Sequence, residues 1–228
     1  MITVMPRRMR EASFRAEQWS GRYASHIELI NRLVDDLGLD EAGGGVPYVA
    51  PIYGGMAARV LSLLRDPGPK ADGGQGSGFL CIENDDASAE LMGRLWEEAG
   101  ISPSDVVPWN VYPWYINANP TAAQLEQGLA PLLRLMDLLP RLRVVILHGG
   151  SARQGWRKLV KRHPSLVRDR GLRVIPTHHT SRQAFWHKDP EVREARLEHI
   201  KRSLAEVAEI LNAPADHPGP QGCAQDVD

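Results

Sequence analysis

The sequence predicts an α/β fold in which helices enclose a central four-stranded parallel sheet on both faces. Four apolar runs occur at 58–66, 105–114, 143–150 and 172–181, and most of them lead into a helical pattern. Runs that are apolar almost throughout are typical of strands covered on both faces. Strands that alternate with helices imply right-handed crossovers, so we expect a three-layer αβα architecture.

Composition is that of an ordinary soluble domain. The 228 residues are 43% hydrophobic and 24% charged, and they fall within the usual size of one domain. No run approaches the roughly 20 apolar residues that a membrane helix needs, and no apolar segment follows the basic N-terminus. We therefore expect a cytoplasmic protein with no membrane partner.

The cysteine count excludes several kinds of site. Cys81 and Cys223 are the two cysteines of the sequence, and they lie far apart. This pattern indicates neither a disulfide framework nor a Cys-x-x-Cys metal site. A four-cysteine iron-sulfur cluster cannot be built from this chain.

The segment before the first apolar run is expected to be a helical extension, residues 1–45, packed against the domain. The stretch WSGRYASHIELINRLVDDLG repeats apolar residues at helical spacing from Ile27 to Leu37, and Gly38 is the expected stop. We assign residues 46–211 to the α/β domain. The Pro- and Gly-rich tail 212–228 is expected to be disordered.

Further helices are expected between and after the strands. In chain order they are placed at about 87–99, 121–139, 151–162 and 190–211. The acidic stretch 83–86 precedes the first of these helices, and acids favour the N-terminal end of a helix. We therefore interpret this stretch as an N-cap.

Charge is unevenly distributed along the chain. The net charge is -1, but residues 141–202 contain 16 Lys and Arg against 5 Asp and Glu, a local charge of +11. Such a segment either presents a basic face to a polyanion or forms a solvated helical surface. The sequence leaves both interpretations open.

Candidate functional residues follow three of the predicted strands. Ligands bind beyond the carboxyl ends of the strands in open parallel sheets. Asp66 ends the first run, Asn110 ends the second among aromatic residues, and His179 ends the fourth. An amide both donates and accepts hydrogen bonds, which reading the edge of a neutral base requires. Alternatively, Asp66 is an ordinary turn residue and Asn110 satisfies loop backbone groups.

A metal site is not expected at the paired histidines. His178 and His179 are adjacent, and adjacent residues of an extended segment point to opposite faces. The two rings would therefore rarely share one ion.

These strand ends resemble the uracil-DNA glycosylase superfamily over residues 46–211. Members carry an acidic or amide residue after the first sheet strand, a stacking Phe, a base-reading Asn and a late His-x-Ser motif. The matching segments in this chain, in the same order, are Asp66-Pro67-Gly68, Gly78-Phe79, Asn110 and His179-Thr180-Ser181.

The resemblance implies a role for each residue. Asp66 and His179 would be catalytic: the carboxylate orients water and stabilises a cationic sugar, and the histidine stabilises the departing anionic base. The resemblance also implies that five residues bind the substrate, with Phe79 as the stacking platform: Pro67, Gly68, Phe79, Asn110 and Ser181. Arg182 would contact a DNA phosphate, and Phe185 either enters the DNA as a wedge or packs against the final helix.

Some positions depart from the family pattern. Arg65 stands where Gln or Glu is usual, Thr180 stands where Pro is usual, and His178 is additional. Gly68 resembles branches that lack a bulky Tyr gate, which implies a pocket that admits bases larger than uracil. A literal His163-Pro164-Ser165 also occurs, but it follows a helical pattern, so we assign it to a helix terminus.

The leading hypothesis is a monomeric, monofunctional DNA glycosylase that acts on uracil or a related damaged pyrimidine in DNA. It would need no cofactor and no metal. Two alternatives remain open: a catalytically inactive nucleic-acid binding or sensing module of the same fold, and a hydrolase of free nucleosides.

Overall fold

The computed structural model describes residues 4–213, so the expected disordered tail lies outside the described residues from position 214 onward. The strands, in chain order, are β1 (Tyr48–Val49), β2 (Val60–Leu64), β3 (Phe79–Leu80), β4 (Val106–Asn110), β5 (Val144–His148) and β6 (Arg173–Thr177). The helices are α1 (Ala12–Gly21), α2 (Glu28–Leu37), α3 (Ala87–Glu98), α4 (Ala122–Gln127), α5 (Leu129–Asp137), α6 (Gly149–Arg162), α7 (Leu166–Asp169), α8 (Arg182–Phe185) and α9 (Pro190–Asn212).

The predicted fold class is confirmed. The four predicted runs contain β2, β4, β5 and β6, which form one parallel sheet in the order β4-β2-β5-β6. Helix α6 packs on β2, β5 and β6, while α9 packs on β6 and against α3. The chain is therefore a three-layer αβα structure around a parallel sheet.

Burial explains why the strands are almost continuously apolar. In the two central strands, Val60, Leu61, Val144 and Val145 are all fully buried. A strand with helices on both faces has no solvent side, so it does not alternate between polar and apolar residues. Among residues 4–213, no helix combines the length and the apolar character that crossing a bilayer requires.

The helix expected at 121–139 is divided in two at Gly128. Thr121 and Gln124 form a reciprocal capping box at the start of α4. A Cβ at Gly128 would lie 1.8 Å from the carbonyl oxygen of Val111, so a larger residue would not fit there. Pro131 also lacks the N–H that would continue the helical ladder. Both features place the break between α4 and α5.

One helix was expected near the N-terminus, and the structure has two there. Only its second half forms α2, which ends at Gly38 as predicted, with a φ of 57° that suits glycine. Helix α1 precedes it and was not foreseen. A short parallel pair, β1 with β3, connects this region to the domain.

Asn31 on α2 fastens this region to β1. The residue is fully buried, and its Nδ2 donates to the carbonyls of Arg22 (2.6 Å) and Val49 (3.0 Å). Its Oδ1 accepts from the amide of Val49 at 2.9 Å. One side chain therefore satisfies three buried or partly buried backbone groups.

We expect Asn31→Ala to lower the free energy of unfolding by about 2–4 kcal/mol, because buried backbone groups would lose their partners. Denaturant unfolding followed by circular dichroism measures the change. The control is Gln154→Ala at an exposed position of α6, which should alter stability by less than about 0.5 kcal/mol. Equal stability of the two variants would contradict this account of Asn31.

Candidate active site

A cavity of about 640 Å³ opens where the four sheet strands end. Each strand contributes a polar side chain to its lining: Asp66 follows β2, Asn110 ends β4, His148 ends β5 and His179 follows β6. This volume lies within the range of small-molecule sites. The structure thus brings the three predicted residues together and adds His148.

Asp66 is held by its neighbour in sequence. The carboxylate is buried, and its Oδ1 accepts a hydrogen bond from Nε of Arg65. Another nitrogen of the same guanidinium, Nη1, donates to Oδ1 of Asn119 at 3.0 Å. Oδ2 is buried and accepts no hydrogen bond from any residue that the structure describes. Burial raises the pKa of Asp66, and the Arg65 guanidinium and the backbone amides of Ala118 and Asn117 oppose that shift. Arg65 therefore orients Oδ1 and favours the charged form of a buried carboxylate.

His179 presents a hydrogen-bond donor. The backbone amide of Ser181 donates to its Nδ1 at 2.9 Å. Because Nδ1 accepts, the proton of the neutral ring is on Nε2. Burial, reinforced by the positive charge of Arg65, lowers the pKa of His179. The ring is thus a neutral imidazole with a free Nε2–H.

The loop that carries His179 is fastened to α3. The hydroxyl of Thr180, the residue that replaces the usual Pro of the late motif, donates to the carbonyl of Ser88 at 2.9 Å. Thr180 is buried, so this bond is shielded from water. A threonine here supplies a tether that proline cannot.

Asn110 is positioned by the sheet itself. It pairs in register with Leu64, and the next amide, that of Val111, donates to the Leu64 carbonyl at 2.9 Å. The side chain is buried, and its Oδ1 accepts no hydrogen bond from residues 4–213. This amide is oriented by its backbone and remains available to a ligand.

Pro67, Gly68 and Ser181 also border the cavity, but Phe79 does not. The Phe79 ring is fully buried and packs edge-on against Trp19, with ring centroids 5.1 Å apart. Successive residues of a strand point to opposite faces, and here Leu80 is the one that faces the cavity. The expected stacking platform is therefore part of the core beneath α1.

Two smaller expectations, the N-cap within 83–86 and the assignment of His163, concern residues outside the catalytic group. Asp86 caps α3 as predicted, since its carboxylate accepts from the amide of Ala89 at 3.2 Å. Glu83 points away from the cavity toward Arg8, at 2.8 Å. His163 follows the last residue of α6 and is exposed, which confirms its assignment to a helix terminus.

The segment after the late motif forms α8 at the mouth of the cavity. Arg182 is exposed there, whereas Phe185 is half-buried and packs against the hydrophobic core. Trp186, the next residue, is 70% exposed. The large aromatic that faces solvent at this point is thus Trp186.

The cations of the basic segment fall into two groups, those paired with acids and those that are not. On α6, Lys158 and Arg162 pair with Glu126. Arg182, which lies between the cavity-lining residues Ser181 and Gln183, has no carboxylate within 4 Å among the described residues. Part of the charge is therefore neutralised within the fold, and part remains beside the site.

His148 is the site residue that sequence reasoning missed. It is 1% exposed, and its Nε2 lies 3.0 Å from the hydroxyl of Ser62. Burial and the nearby His179 lower the pKa of His148 to about 3. Gly149, with a φ of 85°, allows the abrupt turn from β5 into α6. The signal was present, because the histidine in the run RVVILHGG directly precedes the glycine pair that marks the end of the strand.

Within residues 4–213, no three His, Cys, Asp or Glu side chains are grouped so as to hold a metal ion. The family model of the Uracil DNA glycosylase superfamily matches residues 50–204. This match covers more than half of the chain and includes the four sheet strands and the cavity. No curated protein matches the chain.

We expect Arg65→Gln to raise the pKa of the Asp66 carboxyl further, because the cation that opposes its desolvation is removed. The ¹³C chemical shift of the carboxyl, followed against pH by NMR, measures the change. Arg168→Gln, which breaks an exposed pair with Asp169, serves as the control. An unchanged or lower pKa in Arg65→Gln would refute the role given to Arg65.

Proposed function

The chain belongs to the uracil DNA glycosylase superfamily, and on that basis we propose that it is a monofunctional DNA glycosylase. Its reaction would be hydrolysis of the N-glycosidic bond of uracil or a related damaged pyrimidine in DNA. One observation carries the proposal: a carboxylate, a neutral imidazole N–H and an unengaged amide meet in one cavity. These are the three groups that cleavage of a base from its sugar requires.

Asp66 would act on the sugar. As the bond between C1′ and the base nitrogen breaks, its electron pair leaves with the base and positive charge develops on the sugar. The Asp66 carboxylate stabilises that charge and orients the attacking water. The water oxygen then bonds to C1′, and its proton is transferred to the carboxylate and on to solvent.

His179 would act on the leaving base. Its Nε2–H donates to the carbonyl oxygen on which the negative charge develops. The lowered pKa of His179 keeps the ring neutral, so it remains a donor without transferring its proton early. The N-terminal end of α6 at Gly149 and Gly150 also borders the cavity, and a helix N-terminus favours negative charge.

Asn110 would select the base. An amide oxygen without a partner accepts from a base N–H, and the amide nitrogen donates to a base carbonyl. A base inside a duplex must leave the stack to reach such a buried group, so the proposed reaction includes base flipping. The flipped base would lie between Asn110 on β4 and His179 beyond β6.

The mouth of the cavity would bind the DNA backbone. Arg182 is an exposed cation that no described acid neutralises, so its guanidinium can contact a phosphate. Trp186, rather than Phe185, has the exposure of a side chain that enters the space left by the flipped base.

We expect Asp66→Ala and His179→Ala each to lower the rate of uracil release from an oligonucleotide by about 10²–10³-fold, as the loss of an electrostatic or acid-base group does. Gel assays under single-turnover conditions measure the rate. The control is His163→Ala, which changes an exposed histidine outside the cavity. Full activity in both folded site variants would refute these roles.

The same assay separates the alternative functions. Release from DNA, with none from free deoxyuridine, supports the glycosylase. Release from deoxyuridine alone would indicate a nucleoside hydrolase. Salt-dependent DNA binding by the wild-type chain without any release would indicate a binding module.

Trp186→Ala should lower the release of uracil from duplex DNA by about tenfold, because stacking of one aromatic ring is worth about 1–3 kcal/mol. Release from single-stranded DNA should fall less, since no base stack has to be opened. The matched control is Leu39→Ala, because Leu39 is 71% exposed and lies outside the cavity lining. An equal loss on both substrates would contradict the role of Trp186 as a wedge.

A further inference from the structure

His178, the histidine that precedes His179, lies outside the cavity. His179 lines the cavity and His178 does not, as expected for neighbours in an extended segment, whose side chains point to opposite sides. The His178 ring is half-buried, and its nitrogens make no hydrogen bond with side chains or backbone of residues 4–213. The proposed function gives this side chain no role.

Three side chains from two helices lie beside His178. From α9, His199 packs edge-on against it, with ring centroids 5.0 Å apart and ring planes at 70°. Burial lowers the pKa of His178, and His199 and two guanidiniums lower it further. These guanidiniums belong to Arg153 in the second turn of α6 and to Arg196, one turn before His199. We call the four residues the histidine-arginine cluster: Arg153, His178, Arg196 and His199.

Backbone carbonyls fix both arginines of the cluster. Arg153 Nε donates to the carbonyl of Gly149 at 3.1 Å. Arg196 Nη1 donates to the carbonyls of Ala184 at 2.7 Å and Trp186 at 3.3 Å. Within residues 4–213, the other nitrogens of the two guanidiniums make no hydrogen bond. Each guanidinium is therefore held in place and keeps N–H groups that a ligand can use.

No described acid balances the charge of the cluster. Within residues 4–213, none of its nitrogens has a carboxylate oxygen within 4 Å. Further along α6, by contrast, Lys158 and Arg162 both pair with Glu126. Groups of like charge that converge in this way favour an opposite charge between them. They disfavour a metal cation there, although two histidines lie side by side.

We propose that the histidine-arginine cluster is a binding site for a phosphate group. Guanidinium N–H groups match phosphate oxygens, and the donors come from three elements: the segment after β6, α6 and α9. A phosphate presents oxygens in several directions, whereas the two oxygens of a carboxylate lie in one plane and would meet fewer of these donors. The site goes beyond the proposed function, because none of the four side chains lines the cavity.

Two sources of a phosphate share this chemistry. His178 is adjacent to His179, and Arg196 holds α8 at the mouth of the cavity through the carbonyl of Ala184. A DNA strand that crosses the mouth would supply a phosphodiester. A free phosphate or a small phosphorylated molecule would supply the same oxygens. The experiment therefore has one arm for each source.

The first arm is a titration of the full chain with inorganic phosphate at constant ionic strength, with the histidine ring signals followed by NMR. We expect saturable shifts of His178 and His199, and no shift of the exposed His163. Sulfate, whose charge is constant where histidines titrate, should raise the pKa of His178 by about 1 relative to chloride, because a nearby anion favours the charged ring.

Variants then separate the cluster from general surface charge. Arg153→Gln and Arg196→Gln should each weaken phosphate binding by about tenfold, because each removes a charged hydrogen-bond donor. The matched control is Arg157→Gln, one turn further along α6 and exposed, which should keep the wild-type affinity. Thermal unfolding establishes that each variant is folded. No saturable shift in the wild-type chain, or equal losses in Arg153→Gln and Arg157→Gln, overturns the inference.

The second arm uses an undamaged duplex oligonucleotide. If it shifts the signals of His178 and His199, and inorganic phosphate competes with it, the site binds a DNA phosphodiester. If phosphate shifts these signals and the oligonucleotide does not, the site binds a free phosphorylated molecule. Neither probe contains uracil, so failure of this site and failure of the proposed glycosylase are separate results.

Discussion

The hydrogen-bonded register of four parallel strands is the constraint on which the site depends. Strand β2 pairs with β4 on one side and with β5 on the other, and β6 continues the sheet, so all four strands end at one edge. Asn110 aligns with Leu64, and His148 with Thr177, through backbone bonds alone. The sheet therefore places Asn110 and His148 directly, whereas Asp66 and His179 lie in the loops just beyond β2 and β6.

Burial at that edge acts on both kinds of titratable group and favours the neutral form of each. It raises the pKa of Asp66 and lowers the pKa of His148 and His179. For the histidines, neutrality suits the proposed reaction, because a neutral ring is a hydrogen-bond donor that does not repel a cationic sugar. For Asp66, burial disfavours the charged carboxylate, and the positive charge of Arg65 opposes that effect. Arg65 is thus part of the site, although it departs from the family pattern.

The sequence predicts the sheet well because two local signals, the apolar runs and the polar residues that follow them, can be read without knowing the fold. Apolar runs mark strands buried on both faces, and the order of strand ends identifies Asp66, Asn110 and His179 without knowledge of the sheet order. Phe79 could not be placed in this way. Its direction is set by a two-residue strand and by the packing of Trp19 from α1, a helix that the pattern did not reveal. The contact of His148 with Ser62 likewise depends on the pairing of β2 with β5, which the sequence does not reveal.

The unsatisfied polar atoms explain how a stable core can contain a reactive site. Asp66 Oδ2, Asn110 Oδ1 and His148 Nδ1 are all buried without partners among the described residues, and all three residues border one cavity. Each such atom costs about 1–3 kcal/mol in a free protein. The fully buried strands beneath them hold the atoms in place despite that cost, so the site does not relax by rotating its side chains away. In the proposed reaction, a base would meet groups that are already oriented, and its binding would recover part of that cost.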